Sequence, residues 1–167
     1  MKTIEDLKKI NFIKVGYWYL NNKQKLDFNI IDPKHLQENH LLYAFEADLI
    51  VRYIGITEKT LKNRLTNYKN GNSESSGSTN KKLNNNISDE IKKGFTVNIW
   101  MLKDSAPCNF FDYEISLATG IEKSLIRAFD LKENLWNKRG TNPEKSFIKN
   151  TIDMEKNNLN GWRIMRI

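Results

Sequence analysis

Two charged side chains stand where a charge is costly unless it has a partner. Arg64 lies between Leu61 and Tyr68 at helical spacing, which places its guanidinium on or beside a buried helix face, where it needs an anion. Glu122 lies at the edge of an apolar stripe on a later helix, where a carboxylate is costly unless it is paired or bound to a metal. Each residue also has an ordinary alternative, since Arg64 could form a surface ion pair and Glu122 could reach solvent.

Two tyrosines and a glycine form a second candidate group. Tyr43 and Tyr53 lie in strand-like runs that a tight corner could pair, which would bring both phenols to one end of a sheet. Gly55 follows at a strand end, where a glycine permits the close approach of a backbone or a phosphate. Asn137 lies in a later aromatic and basic loop and could cap a turn or contact a nucleic-acid backbone. Two ordinary sheet tyrosines, and a glycine that only marks the end of a strand, would give the same pattern.

The elements that must position these residues predict an α+β domain. Apolar alternation and turn residues predict strands at 12–20, 25–31, 41–47, 49–56 and 95–102. Apolar residues at three- and four-residue spacing predict helices at 3–10, 58–69, 80–93 and 115–129, with Thr57 as the N-cap of the second. This order of hairpins, helices and a later strand favours a small central sheet with helices packed against it.

Several of these positions occur together in one known pattern. In order along the chain they are Leu41-Leu42-Tyr43, Tyr53-Ile54-Gly55, Arg64 with Tyr68, Glu122, and Asn137. In this order and spacing the chain resembles the GIY-YIG nuclease superfamily over about residues 41–140. It is also similar to compact stand-alone bacterial members of restriction or defence type, through four segments: Val15-Gly16-Tyr17-Trp18, Leu42-Tyr43-Ala44-Phe45, Ser78-Thr79-Asn80 and Leu135-Trp136-Asn137.

The sequence departs from the superfamily pattern at two positions. Leu41 replaces the glycine of the first signature, a position that serves mainly through its backbone. Ile56 stands directly after Tyr53-Ile54-Gly55, where many relatives have a lysine that could activate the tyrosine or bind phosphate. The second departure weakens the case for a tyrosine base, unless Lys59, Lys62 or another group substitutes.

The resemblance implies a three-stranded antiparallel sheet flanked by helices, to which the sequence adds an N-terminal β-hairpin. It also implies hydrolysis of DNA phosphodiesters with one divalent metal, Mg²⁺ or alternatively Mn²⁺. Glu122 would hold the metal, Arg64 would clamp the phosphate, and Tyr43 would accept a proton from water as general base. Tyr53 would orient the water or phosphate, Tyr68 would support it, and Asn137 would help position Glu122 or the DNA backbone.

The charge distribution favours an anionic partner. The chain has 27 Lys and Arg against 20 Asp and Glu, a net charge of +7, and most of this excess lies between residues 59 and 93. Random sequence drift or an AT-rich genome would also give a net positive charge of this size. If DNA is the partner, we expect the contacts to come from Lys59, Lys62, Lys69, Asn80, Lys81, Lys82, Lys138 and Arg139.

Length and composition limit the class of protein. The chain has 167 residues and a single cysteine, Cys108, which excludes a disulfide framework and fits a reducing compartment. The charged N-terminus is unlike a signal peptide, and no apolar run approaches the ~18 residues of a membrane span. We expect one cytoplasmic, non-membrane domain, with an N-terminal extension at 1–40, a nuclease core at 41–140 and a tail at 141–167.

Three functions compete at this point. The first is a site-specific, metal-dependent endonuclease that cuts double-stranded DNA, and the second is a structure-selective repair or recombination nuclease with the same active site. The third is a basic module that has kept the fold and binds nucleic acid without cutting it. A single site cuts one strand, so double-strand cleavage would require a homodimer or two successive nicks. The sequence specifies neither the recognition sequence nor a partner methyltransferase.

Overall fold

The computed structural model describes residues 3–71, 79–103, 108–110, 113–115, 117–129 and 135–137. These residues form helices α1 (Ile4–Lys8), α2 (Leu61–Asn70), α3 (Thr79–Lys92) and α4 (Leu117–Phe129), with a short 3₁₀ helix at Pro33–Gln37. The strands are β1 (Ile13–Leu20), β2 (Leu26–Ile30), β3 (Leu41–Ala47), β4 (Ile50–Thr57), β5 (Val97–Lys103), β6 (Cys108–Phe110) and β7 (Tyr113–Ile115). The predicted α+β class is confirmed.

The main sheet has five strands in the order β2-β1-β5-β3-β4, and all of its neighbours are antiparallel. The prediction of a three-stranded sheet with a separate hairpin was therefore wrong. The N-terminal hairpin extends the sheet because β1 pairs along β5, whose backbone N–H and C=O groups would otherwise form an open edge. A second small sheet pairs β6 with β7.

The β3–β4 hairpin closes through a two-residue turn at Asp48 and Leu49. Their φ angles of 54° and 62° are those of a type I′ turn, whose twist matches that of paired strands. The buried carboxylate of Glu46 supports this turn, because it accepts hydrogen bonds from the Leu49 N–H at 2.7 Å and from Asn98 Nδ2 at 2.7 Å. Next to this turn Glu46 pairs with Val51, and a β-bulge at Arg52 then shifts the register so that Tyr43 lies opposite Gly55.

Strand alternation sorts the side chains onto two faces of the sheet. One face carries Tyr43, Phe45 and Tyr53 and packs against the apolar side of α2 and α3. The other face carries Leu42, Ala44 and Ile54 and packs against α1 and α4. Because the sheet separates the two cores, α2 and α4 approach β4 from opposite sides. Within the described residues, no helix is long and apolar enough to cross a membrane.

The start of α2 differs from the prediction. Thr60, and not Thr57, is the N-cap, and its Oγ1 accepts a hydrogen bond from the Asn63 N–H at 3.3 Å. Thr57 is still the last residue of β4, where it pairs with Leu41, so it cannot also begin a helix. At the other end α2 stops at Gly71, whose φ of 58° is left-handed. The predicted helix at 115–129 also begins later, because Ile115 belongs to β7.

The N-cap gives a test of this boundary. Replacing Thr60 by Ala should lower the free energy of unfolding by about 1 kcal/mol, because the Asn63 N–H loses its acceptor. Thr60→Ser keeps the hydroxyl and should retain most of that stability. Urea unfolding measures both variants, and equal losses in the two would contradict the cap.

Candidate active site

Three phenols meet in the core between the β3–β4 hairpin and α2. Tyr43 Oη lies 2.6 Å from Tyr68 Oη, and Tyr53 Oη lies 3.3 Å from the same Tyr68 oxygen. Phe45 forms the floor of the cluster, stacked on Tyr53 and edge-on to Tyr68, with ring centroids 5.6 and 5.8 Å away. Side chains on alternate positions of a strand share one face, and α2 packs on that face. Three tyrosines that are distant in sequence therefore meet in space.

Gly55 makes room for the Tyr43 phenol. A Cβ atom at Gly55 would lie 2.6 Å from Tyr43 Oη, 2.8 Å from Tyr43 Cζ and 2.9 Å from Tyr53 Cε1. Carbon atoms in contact lie about 3.5–4.0 Å apart, so any other residue at this position would displace the ring. The sequence predicted the close approach of a backbone or a phosphate to Gly55. The group that approaches it is the side chain of Tyr43.

Arg64 joins the tyrosine cluster from the first turns of α2. Its Nε donates a hydrogen bond to Tyr43 Oη at 2.8 Å, and its Cζ lies 4.7 Å from the centroid of the Tyr68 ring. The guanidinium is half-buried, and this hydrogen bond uses one of its five N–H donors. The anionic partner that the sequence analysis required is therefore not a side chain of this cluster, since the phenols are neutral.

Tyr43 and Tyr68 are protonated at neutral pH, as an ordinary tyrosine is, and their burial extends the protonated range to higher pH. Burial raises the pKa of Tyr43 and of Tyr68 well above the ordinary value, and the nearby charge of Arg64 offsets only part of this rise. Tyr43 Oη accepts from Arg64 and is hydrogen-bonded to Tyr68 Oη, which is also hydrogen-bonded to Tyr53 Oη, and either phenol of each pair can be the donor. The cluster is thus a chain of hydrogen bonds that holds the guanidinium at one end.

Glu122 reaches the end of β4 from the opposite core. Its carboxylate is half-buried on α4 and accepts a hydrogen bond from the backbone N–H of Ile56. Burial raises the pKa of Glu122, while the Ile56 N–H and the charges of Arg64 and Lys123 act in the opposite direction. The partner of this carboxylate is thus a backbone donor, which sequence patterns do not reveal.

Asn137 fastens a short segment to the outer edge of β4. Its Oδ1 accepts from the Ile54 N–H at 3.1 Å and its Nδ2 donates to the Ile54 carbonyl at 2.7 Å. The Trp136 N–H donates to the Arg52 carbonyl at 2.6 Å. The Asn137 amide thus pairs with β4 as a neighbouring strand would, and it holds the backbone directly before Gly55 and Ile56. These hydrogen bonds go to Ile54 and not to Glu122.

The predicted DNA-contacting residues are spread over several places. Lys59 and Lys62 are exposed around the start of α2, close in sequence to Arg64. Lys69 forms an ion pair with Asp27 at 2.8 Å near the other end of α2. Asn80 is half-buried at the start of α3, and Lys81 and Lys82 follow it with exposed side chains. Lys138 and Arg139 lie outside the described residues.

The described residues contain no group of three or more His, Cys, Asp or Glu that could together hold a metal ion. Glu122 is the carboxylate of the site, and one carboxylate suits Mg²⁺, which keeps several waters and takes further oxygens from a substrate phosphate. The donor set therefore fits a hydrated Mg²⁺ bound together with a phosphate.

The fold is shared with two solved structures. A mutant of bacteriophage T4 EndoII superposes with a TM-score of 0.63 at 20% sequence identity, over 82% of this chain and 99% of that chain. The restriction endonuclease HPY188I in complex with product DNA superposes with a TM-score of 0.50 at 21% identity, over 78% and 86% of the two chains. No protein-family model and no curated protein matches the sequence. At these identities the similarity shows a common fold.

The contact between Gly55 and Tyr43 can be tested by a double-mutant cycle. Gly55→Ala should lower the free energy of unfolding by about 1–3 kcal/mol, because the new methyl group overlaps the Tyr43 phenol. In a Tyr43→Phe background the oxygen at 2.6 Å is gone, so the same glycine substitution should cost less. Strictly additive losses in urea unfolding would contradict a direct contact.

The raised phenol pKa values predict a loss of stability in alkali. The unfolded chain releases tyrosine protons near pH 10, whereas folded Tyr43 and Tyr68 retain theirs, so stability is complete below that pH and falls as the pH rises above about 10. Tyr43→Phe with Tyr68→Phe should lessen this fall. Urea unfolding at several alkaline pH values measures it, and an equal fall in the double variant would contradict protonated, buried phenols.

Proposed function

We propose that this protein is a divalent-metal-dependent DNA endonuclease of the GIY-YIG type, and that it cuts double-stranded DNA at specific sites as restriction or defence enzymes do. One observation carries the proposal. The half-buried guanidinium of Arg64, directed by its hydrogen bond to Tyr43 Oη at 2.8 Å, lies on one side of β4, and the half-buried carboxylate of Glu122 lies on α4, which packs on the other side. A phosphodiester with its cation would match this pair of opposite charges.

The comparison with solved structures supports the same conclusion. The chain shares its fold with bacteriophage T4 EndoII and with a restriction endonuclease that was solved in complex with product DNA. The net charge of +7 suits a polyanionic substrate. Since one site of this kind cuts one strand, double-strand cleavage would use two copies of the chain or two successive nicks.

The proposed reaction is hydrolysis, in which a water oxygen bonds to phosphorus, one P–O ester bond breaks, and the leaving oxygen takes up a proton. Arg64 would bind the phosphate through its remaining N–H groups and stabilise the charge that develops on the phosphate oxygens. Glu122, held by the Ile56 N–H, would bind Mg²⁺ or Mn²⁺. When bound, the metal supplies Lewis-acid stabilisation of charge on the phosphate and the leaving oxygen.

The tyrosines have a positioning role in this proposal. The hydrogen bond from Arg64 Nε to Tyr43 Oη, together with the contact between Arg64 and the Tyr68 ring, would fix the direction of the guanidinium. Tyr53 would hold the Tyr68 hydroxyl at the other end of the cluster. The further role of Tyr43 as general base requires that binding of DNA or metal expose its oxygen and lower its pKa, which burial raises.

Removal of the carboxylate charge tests the metal site. We expect Glu122→Gln to abolish cleavage of supercoiled plasmid in Mg²⁺ and in Mn²⁺, while the affinity for DNA in EDTA changes little, because the amide is a poor ligand for a hard cation. Glu58→Gln makes the same charge change at an exposed residue next to α2 and should cleave normally. Full activity of Glu122→Gln would refute its assignment as metal ligand.

Removal of the guanidinium tests the phosphate clamp. Arg64→Ala should lower the cleavage rate by about 100- to 1,000-fold, the cost of losing one preorganised donor group in a transition state. Arg64→Lys keeps the charge but loses the planar fork, and should restore only part of the rate. Single-turnover cleavage of plasmid, nicked and forked DNA measures these rates and also separates a site-specific nuclease from a structure-selective one. A wild-type rate in Arg64→Ala would overturn the role.

A further inference from the structure

A polar groove of about 640 Å³ lies at the end of α2 farther from Arg64. Three elements line it: the turn that joins β1 to β2, the last residues of α2, and one side of α3. The lining is chemically uniform, because among the described lining residues only Leu26 is apolar and only Asp89 is acidic, and the others are Asn, Gln, Ser or Lys. No catalytic role assigned above uses these residues.

The groove has the chemistry of a nucleic-acid site. Lys25, Lys69 and Lys92 line it from three different elements, and with Asp89 they give the lining an excess positive charge. Lysines bind phosphates as point charges, and asparagine and serine side chains can bond to base edges. Asn85 and Ser88 lie on successive turns of α3 and project from the wall opposite the hairpin.

The walls of the groove are fixed in place. Asn84 Nδ2 donates to the carbonyls of Tyr68 and Lys69 at 2.9 and 2.8 Å, which ties α3 to the end of α2. Asn21 Oδ1 accepts from the N–H groups of Lys23 and Lys25 at 2.9 and 3.1 Å, which shapes the hairpin turn. A groove with fixed walls binds with a smaller loss of conformational entropy than one that must form around its ligand.

The position of the groove relates it to the active site. Asn70 lines the groove and follows Arg64 on the same helix by six residues, which is about 9 Å along the helix axis. Successive phosphates of one DNA strand advance about 3.4 Å along the duplex. A strand with its scissile phosphate on Arg64 could therefore reach the groove about two or three nucleotides away.

We propose that this groove binds DNA beside the cleavage point, with Lys25 and Lys92 on the phosphates and Asn85 on a base edge. The inference rests on the proposed function, because it takes DNA as the substrate and Arg64 as the scissile-phosphate site. It adds Lys25, Asn85 and Lys92, which the sequence analysis did not select, whereas Lys69, which it did select, lines the same groove but forms an ion pair with Asp27.

The first experiment measures binding separately from cleavage. Affinity of a fluorescent mixed-sequence duplex is followed in EDTA, between about 50 and 200 mM salt. Lys25→Ala with Lys92→Ala should reduce the slope of log affinity against log salt by about 1.8, since each lost phosphate contact removes about 0.9.

The matched control is Lys9→Ala with Lys14→Ala, which makes the same change in net charge away from the groove. Lys14 pairs in register with Trp100 on the side of the sheet that faces α1 and α4, and Lys9 is an exposed residue directly after α1. Melting temperatures confirm that both double variants are folded. Equal salt slopes in the two would overturn the groove as a phosphate site.

The second experiment tests base recognition. Plasmid libraries with random sequence are cleaved in Mg²⁺, and the base preference at each distance from the cut is read from the fragment ends. Asn85→Ala should flatten the preference about two or three nucleotides from the cut, by about tenfold in relative cleavage. Asn86→Ala, its neighbour outside the groove lining, should leave this preference unchanged.

The outcomes separate the two proposals. Normal cleavage by the wild type, with unchanged salt slope and base preference in the groove variants, would overturn the groove and leave the nuclease intact. Groove-dependent binding without cleavage of plasmid, nicked or forked DNA would support the groove and overturn the proposed function. Loss of DNA binding in the control variants alone would place the DNA surface on the other side of the sheet and overturn the groove.

Discussion

The contact of the Tyr43 phenol with the bare backbone of Gly55 is the constraint on which the candidate site depends. The two residues lie opposite each other in the β3–β4 ladder, and the ring fits because Gly55 has no Cβ. With the ring in this position, Tyr43 Oη lies where it can bond both to Tyr68 and to Arg64. The direction of the guanidinium therefore depends on the pairing register of two strands, and that register is set by the β-turn at Asp48 and Leu49 together with the β-bulge at Arg52.

The two charges of the site come from the two opposite cores, which explains how they avoid neutralising each other. Arg64 approaches from the face that α2 covers, and Glu122 approaches from the face that α4 covers. The end of β4 lies between them, and its Ile56 N–H holds the carboxylate. A buried guanidinium and a carboxylate in direct contact would satisfy each other, whereas this arrangement keeps the two charged groups on either side of one strand end.

The contacts that cover one edge of the sheet also help to assemble the candidate site. β4 is an outer strand of the five-stranded sheet, and an outer strand exposes unpaired backbone groups. Asn137 and the Trp136 N–H bond to Ile54 and Arg52 along this edge, and Glu122 takes the N–H of Ile56. The groups that cover the edge thus also hold the backbone on either side of Gly55. An asparagine suits this position because its amide carries a donor and an acceptor in the geometry of a peptide group.

The sequence by itself determined the features that depend on neighbours along the chain. Alternation placed Tyr43 and Tyr53 on one face, helical spacing placed Arg64 and Tyr68 together, and the resemblance selected Glu122 and Asn137. Only the tertiary structure decided that β1 joins β5, that Thr60 begins α2 because Thr57 still pairs in β4, and that the Ile56 N–H holds Glu122. It also formed the groove from a hairpin, a helix end and a second helix. The physical reason is that side-chain periodicity is a local property, whereas strand neighbours, backbone donors and concave surfaces arise from contacts between distant segments, and a backbone N–H is the same in every residue except proline.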